Sequence, residues 1–334
     1  MIRIAVDAMG GDHAPRSIID GALAAARHQD LGLLLAGPPD IIRAELERYP
    51  DAAQFSIRVL PAPDVIDMAE PPSAALRRKP RASIRVAAEA VANGEASALV
   101  SAGHTGATVM CAHGAFGRLP GVDRPALAAT IPSGDRLGIL LDVGANVECR
   151  ASHLLQFAAM GAVYAKISLG IERPRIGLLS IGEEESKGTG VIRDAHQLLK
   201  ASSLNFIGNV EAREVYKGNA DVIVCDGFTG NIALKTSEGL VDTVDRLLGE
   251  ELSRTFSGMV GSLLSRRAFR RFRRRLDYSE YGGAPLLGVA GVCFVCHGRS
   301  SAKAIRNAIL MAHRFSTAGF LHRVEQEIAS ASVS

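Results

Sequence analysis

The 334-residue sequence contains no tryptophan, and only 5% of its residues are aromatic. With no recognisable recognition motif either, this composition argues against nucleic acid as a partner. No stretch approaches the roughly 20 consecutive apolar residues that a membrane-spanning helix needs. The five cysteines are scattered singly apart from Cys293 and Cys296, which predicts buried thiols in a reducing cytoplasm rather than a disulfide framework. The chain opens directly on a predicted strand, so we expect no signal or transit peptide.

Several catalytic signatures are also absent. No GxGxxG follows the first apolar stretch, which argues against a nicotinamide-dependent dehydrogenase, and no GxxxxGK[ST] phosphate loop occurs. The sequence contains no GxSxG nucleophile elbow, no HExxH and no His/Cys spacing typical of a metal site. We therefore expect neither a metal nor a cofactor.

Five apolar stretches each end in a cluster of glycine with small polar or charged residues. They begin at Ile2, Ala98, Leu137, Ile176 and Val222, and read IRIAVDAMGGDHAP, ALVSAGHTGA, LGILLDVGAN, IGLLSIGEEESKGTG and VIVCDGFTGN. Each pattern predicts a buried strand followed by a turn that opens onto a helix. Because ligands bind where the carboxyl ends of parallel strands line a crevice, we expect all five turns at one sheet edge. Their N–H groups would suit a phosphate or another oxyanion.

Strand-like and helix-like runs alternate almost throughout, which predicts an α/β fold: a doubly wound, mostly parallel sheet with helices on both faces. The predicted strands are 2–6, 33–36, 57–60, 98–101, 126–131, 137–142, 176–181, 206–210 and 222–225. We expect residues 1–334 to form a single α/β domain, with two lobes around a cleft as the alternative.

The segment 252–276 has a different pattern. Its apolar residues recur at helical spacing on one face: Leu252, Phe256, Met259, Val260, Leu263 and Leu264. Seven arginines and no acid follow within 266–275, and they include Arg266, Arg267, Arg270 and Arg271. An apolar face beside a polybasic strip is typical of an interfacial membrane anchor. The alternative is a surface helix with a solvated, charged end.

The candidate ligand-binding residues lie in the glycine-containing turns. They are Gly10, Gly11, Asp12 and His13; Ser101, His104 and Thr105; Asp142 and Asn146; Lys187; and Thr229, Gly230 and Asn231. One such turn alone is usually an ordinary strand–helix connection, whereas five at one edge indicate a shared site. A single histidine is usually structural, and among His13, His104 and His297 the best candidate is His104.

The motifs AVDAMGGDHAP, SAGHTGA, DVGAN, IGEEESKG, NVEARE, CDGFTGN, YGGAPLLG and HGRSS extend from residue 5 to residue 301. Together they resemble the bacterial PlsX family of phosphate acyltransferases. The resemblance implies a homodimer whose fold is similar to phosphotransacetylases and to isocitrate and isopropylmalate dehydrogenases. The chain departs from the family pattern at His104, where asparagine is usual, and at Ser180, Ala212 and Glu214.

The resemblance implies that inorganic phosphate attacks the thioester of an acyl-carrier protein, giving acyl phosphate for phospholipid synthesis and a free carrier thiol. Phosphate is already a nucleophile near pH 7, and a thiolate with a pKa of about 8.5 is a tolerable leaving group. Positioning and charge neutralisation should therefore dominate catalysis. By resemblance, Lys187 and Asn231 carry catalysis. The phosphate cradle would comprise Ser101, Thr105, Thr229 and the turns at Gly10–Gly11 and Gly230, held in place by Asp12, Asp142 and Asn146.

The implied partners are an acidic acyl-carrier protein and a membrane glycerol-3-phosphate acyltransferase that receives the product. The apolar face of 252–276 and its arginines would contact an anionic membrane surface or the carrier, so we expect a cytoplasmic protein peripherally associated with the inner face of the membrane. Three alternatives remain: a phosphotransacetylase acting on short acyl-CoA, a covalent mechanism through Cys225 or Cys111, and a non-catalytic, membrane-recruited protein that binds a phosphorylated ligand.

Overall fold

A computed structural model describes residues 1–276 and 282–331, without the side chains of residues 270 and 273–276. Its eleven strands form one sheet in the order β3-β2-β1-β4-β11-β10-β5-β6-β9-β7-β8. The strands are β1 (Ile2–Asp7), β2 (Leu31–Gly37), β3 (Ile57–Pro61), β4 (Ala98–Ser101), β5 (Ala126–Ser133), β6 (Arg136–Leu141), β7 (Ile176–Ser180), β8 (Phe206–Glu211), β9 (Val222–Val224), β10 (Ala284–Leu287) and β11 (Val292–Val295).

Twelve α-helices are described. They are α1 (Arg16–Ala26), α2 (Pro39–Leu46), α3 (Pro72–Arg78), α4 (Ser83–Ala92), α5 (Thr105–Phe116), α6 (Ala151–Leu169), α7 (Gly190–Ala201), α8 (Gly227–Ser253), α9 (Phe256–Leu264), α10 (Arg266–Leu276), α11 (Ala302–Thr317) and α12 (Phe320–Ala331). Within the described ranges, none of these helices combines the length and the apolar character needed to cross a membrane.

The sheet is mostly parallel and has helices on both faces, as predicted. Alternate residues of β1 enter separate hydrophobic cores: Ile4 and Val6 pack on one face, and Ala5 packs on the other. Helices α1, α6, α11 and α12 supply the first core, and α4 and α5 supply the second. Both faces of these strands are therefore dry, which explains their nearly continuous apolar sequence.

All nine predicted strands are present, and the apolar run around Cys293 forms β11, with Cys293 and Cys296 buried. Strand β10 escaped sequence analysis. It has only four residues, and Pro285 within it removes one backbone donor. Tyr281, the first residue of the YGGAPLLG motif, lies outside the described residues.

The strand directions correct the prediction of a single edge. Strands β1, β4 and β11 run parallel to one another, and so do β6, β9 and β7. Between these two sets, the β11–β10, β10–β5 and β5–β6 pairings are all antiparallel. Three reversals make the two sets run in opposite directions, so their carboxyl ends cannot share one edge.

The register of the central strands nevertheless brings these carboxyl ends together. Ser101 at the end of β4 pairs with Val295 at the end of β11, which pairs with Ala284 at the start of β10. At the other end of β10, Leu286 pairs with Leu127, next to Ala128, which pairs with Leu141 at the end of β6. The two sets therefore overlap only near their carboxyl ends, across the short strand β10.

The segment 252–276 is helical, but it is three helices rather than one. Helix α8 ends at Ser253, and α9 starts after Thr255, whose hydroxyl caps it by accepting the Gly258 N–H at 3.0 Å. A β-carbon at Gly258 would lie 2.5 Å from the Leu252 carbonyl oxygen, so glycine permits this close turn. A second break at Ser265 separates α9 from α10.

Candidate functional site

The turns after β1 and β4 are packed directly against each other. Asp7 is buried and accepts the Ser101 hydroxyl at 2.8 Å, and Ser101 Oγ accepts the Gly103 N–H at 3.0 Å. A β-carbon at Gly10 would lie 2.5 Å from Asp7 Oδ2 and 2.6 Å from the Gly103 nitrogen. Burial raises the pKa of Asp7, while bonds from Ser83 and Ser101 favour the anion. We call Asp7, Gly10, Ser101 and Gly103 the Gly10 cluster.

His104 occupies the position at which asparagine is usual in the resembled family. It is the N-cap of α5, and its Nδ1 accepts the Gly106 N–H at 3.1 Å. An imidazole nitrogen thus supplies the acceptor that an asparagine oxygen provides at many N-caps. Thr105, the first residue of α5, is exposed at this helix N-terminus.

Gly11, Asp12 and His13 continue the turn towards α1. Gly11 has a φ of 104°, and the Asp12 N–H donates to the Gly298 carbonyl at 2.8 Å. The loop after β11 therefore closes over the Gly10 cluster. Asp12 and His13 are exposed, and the His13 carbonyl accepts the Ser17 N–H at 3.1 Å.

Asp142 follows β6, is fully buried and accepts the hydrogen bonds that hold the second set of turns together. Its Oδ1 accepts N–H groups from Leu127, Gly144 and Ala145 at 2.9–3.1 Å. Its Oδ2 accepts both the backbone N–H and the side-chain amide of Asn146, at 2.7 and 2.8 Å. Burial raises the pKa of Asp142, and these five donors act in the opposite direction by favouring its charged form.

The Asp142 turn holds the start of α8. The Asn146 carbonyl accepts the Gly227 N–H at 2.7 Å, and a β-carbon at Gly230 would lie 1.9 Å from the Asp142 carbonyl oxygen. Thr229 is committed to the helix cap, since its N–H and hydroxyl both donate to Asp226 at 2.8 Å. Helix α8 thus starts at Gly227, directly after its Asp226 N-cap.

Asn231 is exposed on the first turn of α8, where its side chain borders Gly144. Its position differs from that of Asn146, whose amide is buried and donates to Asp142 and to the Pro125 carbonyl. Of the two predicted asparagines, only Asn231 presents its side chain to solvent at a helix N-terminus.

Lys187 lies in the loop between β7 and α7. Its backbone N–H donates to the Glu184 carbonyl at 3.0 Å, and its side chain is exposed. Across the part of the chain that the structure describes, its ammonium group has no ion-pair partner. Beneath this loop, Ser180 Oγ is inaccessible to solvent and has no hydrogen-bond partner among the described residues. Among the described residues, neither the Lys187 ammonium group nor Ser180 Oγ beneath the loop has a polar partner.

Asn231 and Lys235 are one helical turn apart on the same face of α8. Lys235 donates to the Glu238 carboxylate at 2.8 Å. Burial lowers the pKa of His297, Lys235 is the next contribution in the same direction, and Glu238 and Asp12 oppose it. Ser101 ends β4 and Asp142 follows β6, four positions away in the sheet, which at about 4.8 Å per strand separates them by roughly 19 Å across the sheet.

Sequence analysis did not find the contact between Asp12 and Gly298, because 286 positions of chain separate the two residues.

The cysteines are poorly placed for nucleophilic chemistry. Cys225 is 1% exposed, and burial raises the pKa of its thiol well above the ordinary value. Burial likewise raises the pKa of Cys111 to about 11. Among the described residues, no group of three or more His, Cys, Asp or Glu side chains could hold a metal ion.

Comparison with known proteins places this architecture among the phosphotransacetylases. A phosphotransacetylase from Streptococcus pyogenes superimposes with a TM-score of 0.63 at 18% identity, covering 98% of this chain and 94% of that one. This likeness defines the fold class.

Sequence comparison then identifies the family. A family model described as fatty acid synthesis protein matches residues 2–323. The phosphate acyltransferase of Pelotomaculum thermopropionicum is 48% identical over 332 residues, covering 99% of this chain and 96% of the relative. That of Nitratidesulfovibrio vulgaris strain DP4 is 50% identical over 329 residues, covering 98% and 95%. The chain belongs to the phosphate acyltransferase family, and it is an acyltransferase.

Proposed function

We propose that this enzyme transfers a long-chain fatty acyl group from acyl-carrier protein to inorganic phosphate, giving acyl phosphate for phospholipid synthesis. The observation that carries the proposal is the meeting of two sets of strand carboxyl ends across β10. We infer that this meeting directs the N-termini of α5 and α8 towards one cleft, and helix N-termini favour anions.

The proposed reaction depends more on positioning phosphate beside the thioester carbonyl than on a strong base. Dianionic phosphate is itself the nucleophile, and the main barrier is bringing it to a carbonyl that becomes an oxyanion. Lys187 would neutralise phosphate or the oxyanion, and Asn231 would donate a hydrogen bond to the same groups. The Gly10 cluster, Thr105 and the start of α8 would cradle phosphate, with Asp12, Asp142 and Asn146 holding the backbone donors.

The burial of the thiols supports direct attack over an acyl-enzyme. A thiol with a pKa of about 11, as at Cys111, is almost entirely protonated at pH 7, and protonated thiols are poor nucleophiles. Cys225 is also sealed beneath α8, where its Sγ lies 3.5 Å from the Asp142 carbonyl oxygen.

The test is to incubate the enzyme with palmitoyl-carrier protein and radiolabelled phosphate, then to measure hydroxylamine-sensitive product. Lys187→Ala should fold normally and lose most turnover. Lys217→Ala is the matched control, because Lys217 is exposed and precedes β9, at the opposite end of that strand from Asn231. A Lys187→Ala enzyme with a near-normal rate would remove Lys187 from the mechanism. Binding of phosphate without any acyl phosphate formation by the wild-type protein would overturn the proposal.

The second candidate function is transfer from short acyl-CoA. The phosphotransacetylase-like fold favours it, since the same cleft chemistry would serve either thioester. Parallel assays with acetyl-CoA and palmitoyl-carrier protein distinguish the two donors. Turnover of acetyl-CoA with none of the carrier substrate would replace the main proposal.

We also propose that α9 and α10 bring the enzyme to an anionic membrane surface, where a membrane glycerol-3-phosphate acyltransferase could receive the product. No residue of α9 is buried, and Leu263 and Leu264 are 68% and 80% exposed. Phe256, Met259 and Val260 are exposed with them, and Arg266, Arg267 and Arg271 are exposed at the start of α10. The side chain of Arg270 lies outside the described residues. Such an arrangement suits an interfacial anchor.

A homodimer is supported by the exposed side of α8. Leu240, Val244, Leu247 and Leu248 are exposed at helical spacing. A contiguous apolar stripe on a surface helix is typical of a protein–protein contact. Sedimentation velocity at micromolar concentration tests this assignment, and a strictly monomeric species would contradict it.

A further inference from the structure

The loop that carries Lys187 makes few apolar contacts with the rest of the protein. Residues 181–189 are almost all exposed, and Ile181, the largest apolar side chain in this stretch, is 82% exposed. A loop without apolar burial opens easily unless polar contacts fix it. The position of Lys187 therefore depends on whatever anchors the neighbouring glutamates.

One anchor acts through a shared carbonyl. The Asn209 side-chain amide on β8 donates to the Glu184 carbonyl at 2.9 Å. The same carbonyl accepts the backbone N–H of Lys187 at 3.0 Å. One oxygen thus joins the edge strand of the sheet to the Lys187 backbone, so a shift at Asn209 is transmitted directly to the lysine.

His196 on α7 fixes the orientation of Asn209. Its Nδ1 lies 3.0 Å from Asn209 Oδ1, and its ring packs edge-on against Phe206 at 5.0 Å. Since Asn209 Nδ2 is used by Glu184, Oδ1 is the acceptor and His196 Nδ1 carries the proton. Both side chains are buried, at 3% and 7% exposed, so water does not compete with these bonds.

A second anchor holds Glu185, the residue after Glu184. The Glu185 carboxylate accepts Lys200 Nζ at 2.6 Å, and its Oε1 lies 3.5 Å from His196 Nε2. Lys200 is the main cause of the lowered pKa of Glu185. His196 therefore contacts both anchors, one through each ring nitrogen.

We propose that Asn209 and His196 are positioning residues that hold the Lys187 loop in its phosphate-binding geometry. This inference rests on the proposed role of Lys187 and extends it to two side chains that touch neither phosphate nor the acyl group. It also gives the NVEARE motif a physical role, since Asn209 is its first residue.

The most direct variant is Asn209→Asp. Its Oδ1 can still accept from His196, but its second oxygen would face the Glu184 carbonyl, replacing a hydrogen bond with repulsion between two acceptors. Asn205→Asp is the matched control, because the Asn205 side-chain amide also donates to a backbone carbonyl, that of Arg173 at 3.3 Å, away from both lysines. Glu185→Gln is a second variant on an exposed side chain, so it tests the other anchor without disturbing the core.

Limited trypsin digestion measures local opening of the Lys187 loop independently of enzyme activity. Lys187 and Lys217 are both exposed and both precede glycine, so cleavage at Lys217 is an internal standard. In Asn209→Asp, we expect cleavage after Lys187 to accelerate about tenfold relative to Lys217, because local opening controls proteolysis. Asn205→Asp should leave the ratio unchanged, and Glu185→Gln should raise it.

Steady-state kinetics supply the functional readout. We expect Asn209→Asp to raise KM for phosphate roughly tenfold, with KM for the acyl donor unchanged within about twofold, because only the phosphate contact is displaced. An unchanged cleavage ratio, or faster cleavage with a normal KM for phosphate, would overturn the inference. Failure of the wild-type enzyme to form acyl phosphate would instead overturn the proposed function, so the two failures are distinguishable.

Discussion

Gly230→Ala tests whether close packing between α8 and the Asp142 turn sets the site geometry. The added β-carbon would lie 1.9 Å from the Asp142 carbonyl oxygen and 2.8 Å from Cys225 Sγ. Real β-carbons essentially never approach a heavy atom closer than 3.0 Å, so α8 must move away from the turn by about 1 Å. That movement carries Asn231, the next residue, out of register with the Asp142 turn.

The magnitude follows from two opposing terms. Overpacking of this kind costs about 1–3 kcal/mol, and alanine recovers about 1 kcal/mol of helix propensity relative to glycine. We expect a net loss of roughly 1 kcal/mol in unfolding free energy, which lowers Tm by about 1–2 °C in a chain of this size. A displacement of about 1 Å at Asn231, if it acts as proposed, should reduce kcat/KM for phosphate roughly 100-fold.

Gly239→Ala in the same helix is the matched control. A β-carbon there meets nothing within 4 Å, so we expect a gain of about 0.5–1 kcal/mol and normal kinetics. Urea denaturation and the phosphate-dependent assay measure both effects. A Gly230→Ala enzyme with wild-type kcat/KM would refute the idea that this contact positions Asn231.

Three further predictions address the thiols, the membrane surface and acid stability. Cys225→Ser should retain full activity, and a loss of more than about tenfold would revive an acyl-enzyme mechanism. Leu263→Glu should reduce flotation with anionic liposomes, and equal flotation of wild type and variant would contradict the anchor. Burial alone would raise the pKa of Asp221, but its bonds to Arg175 lower the pKa overall. This stabilising contribution is present above the unfolded pKa near 4 and is lost as pH falls through the folded pKa. Arg175→Met should therefore cost roughly 2 kcal/mol at pH 7 and much less at pH 3, and an equal cost at both would contradict the pairing.

Sequence analysis recovered the local pieces of the site because each is specified within a short window. The hydrophobic stretches predict strands, and the glycine-containing cluster after each stretch predicts a turn that opens onto a helix. In the turn after β9, Asp226 accepts the Thr229 N–H as an N-cap should. The role of His104 as a cap is of the same local kind.

The positions of these strands and turns relative to one another could not be predicted from short windows of sequence. The expectation that all five turns lie at one edge was wrong because it assumed strands of a single direction. The three antiparallel pairings made by β10 and β5 reverse the direction between the two sets, and the short strand β10 offsets them. No window of sequence around Asp7 or Asp142 carries information about that offset.

The sequence by itself determined which residues form strands, caps and glycine turns, since backbone geometry and burial act over a few neighbouring positions. Only the tertiary structure decided that the start of α8 packs against the Asp142 turn, that Gly298 closes on Asp12, and that Asn209 donates to the Glu184 carbonyl beside Lys187. These are contacts between distant segments, and strand pairing and helix packing fix them only after the whole sheet has assembled.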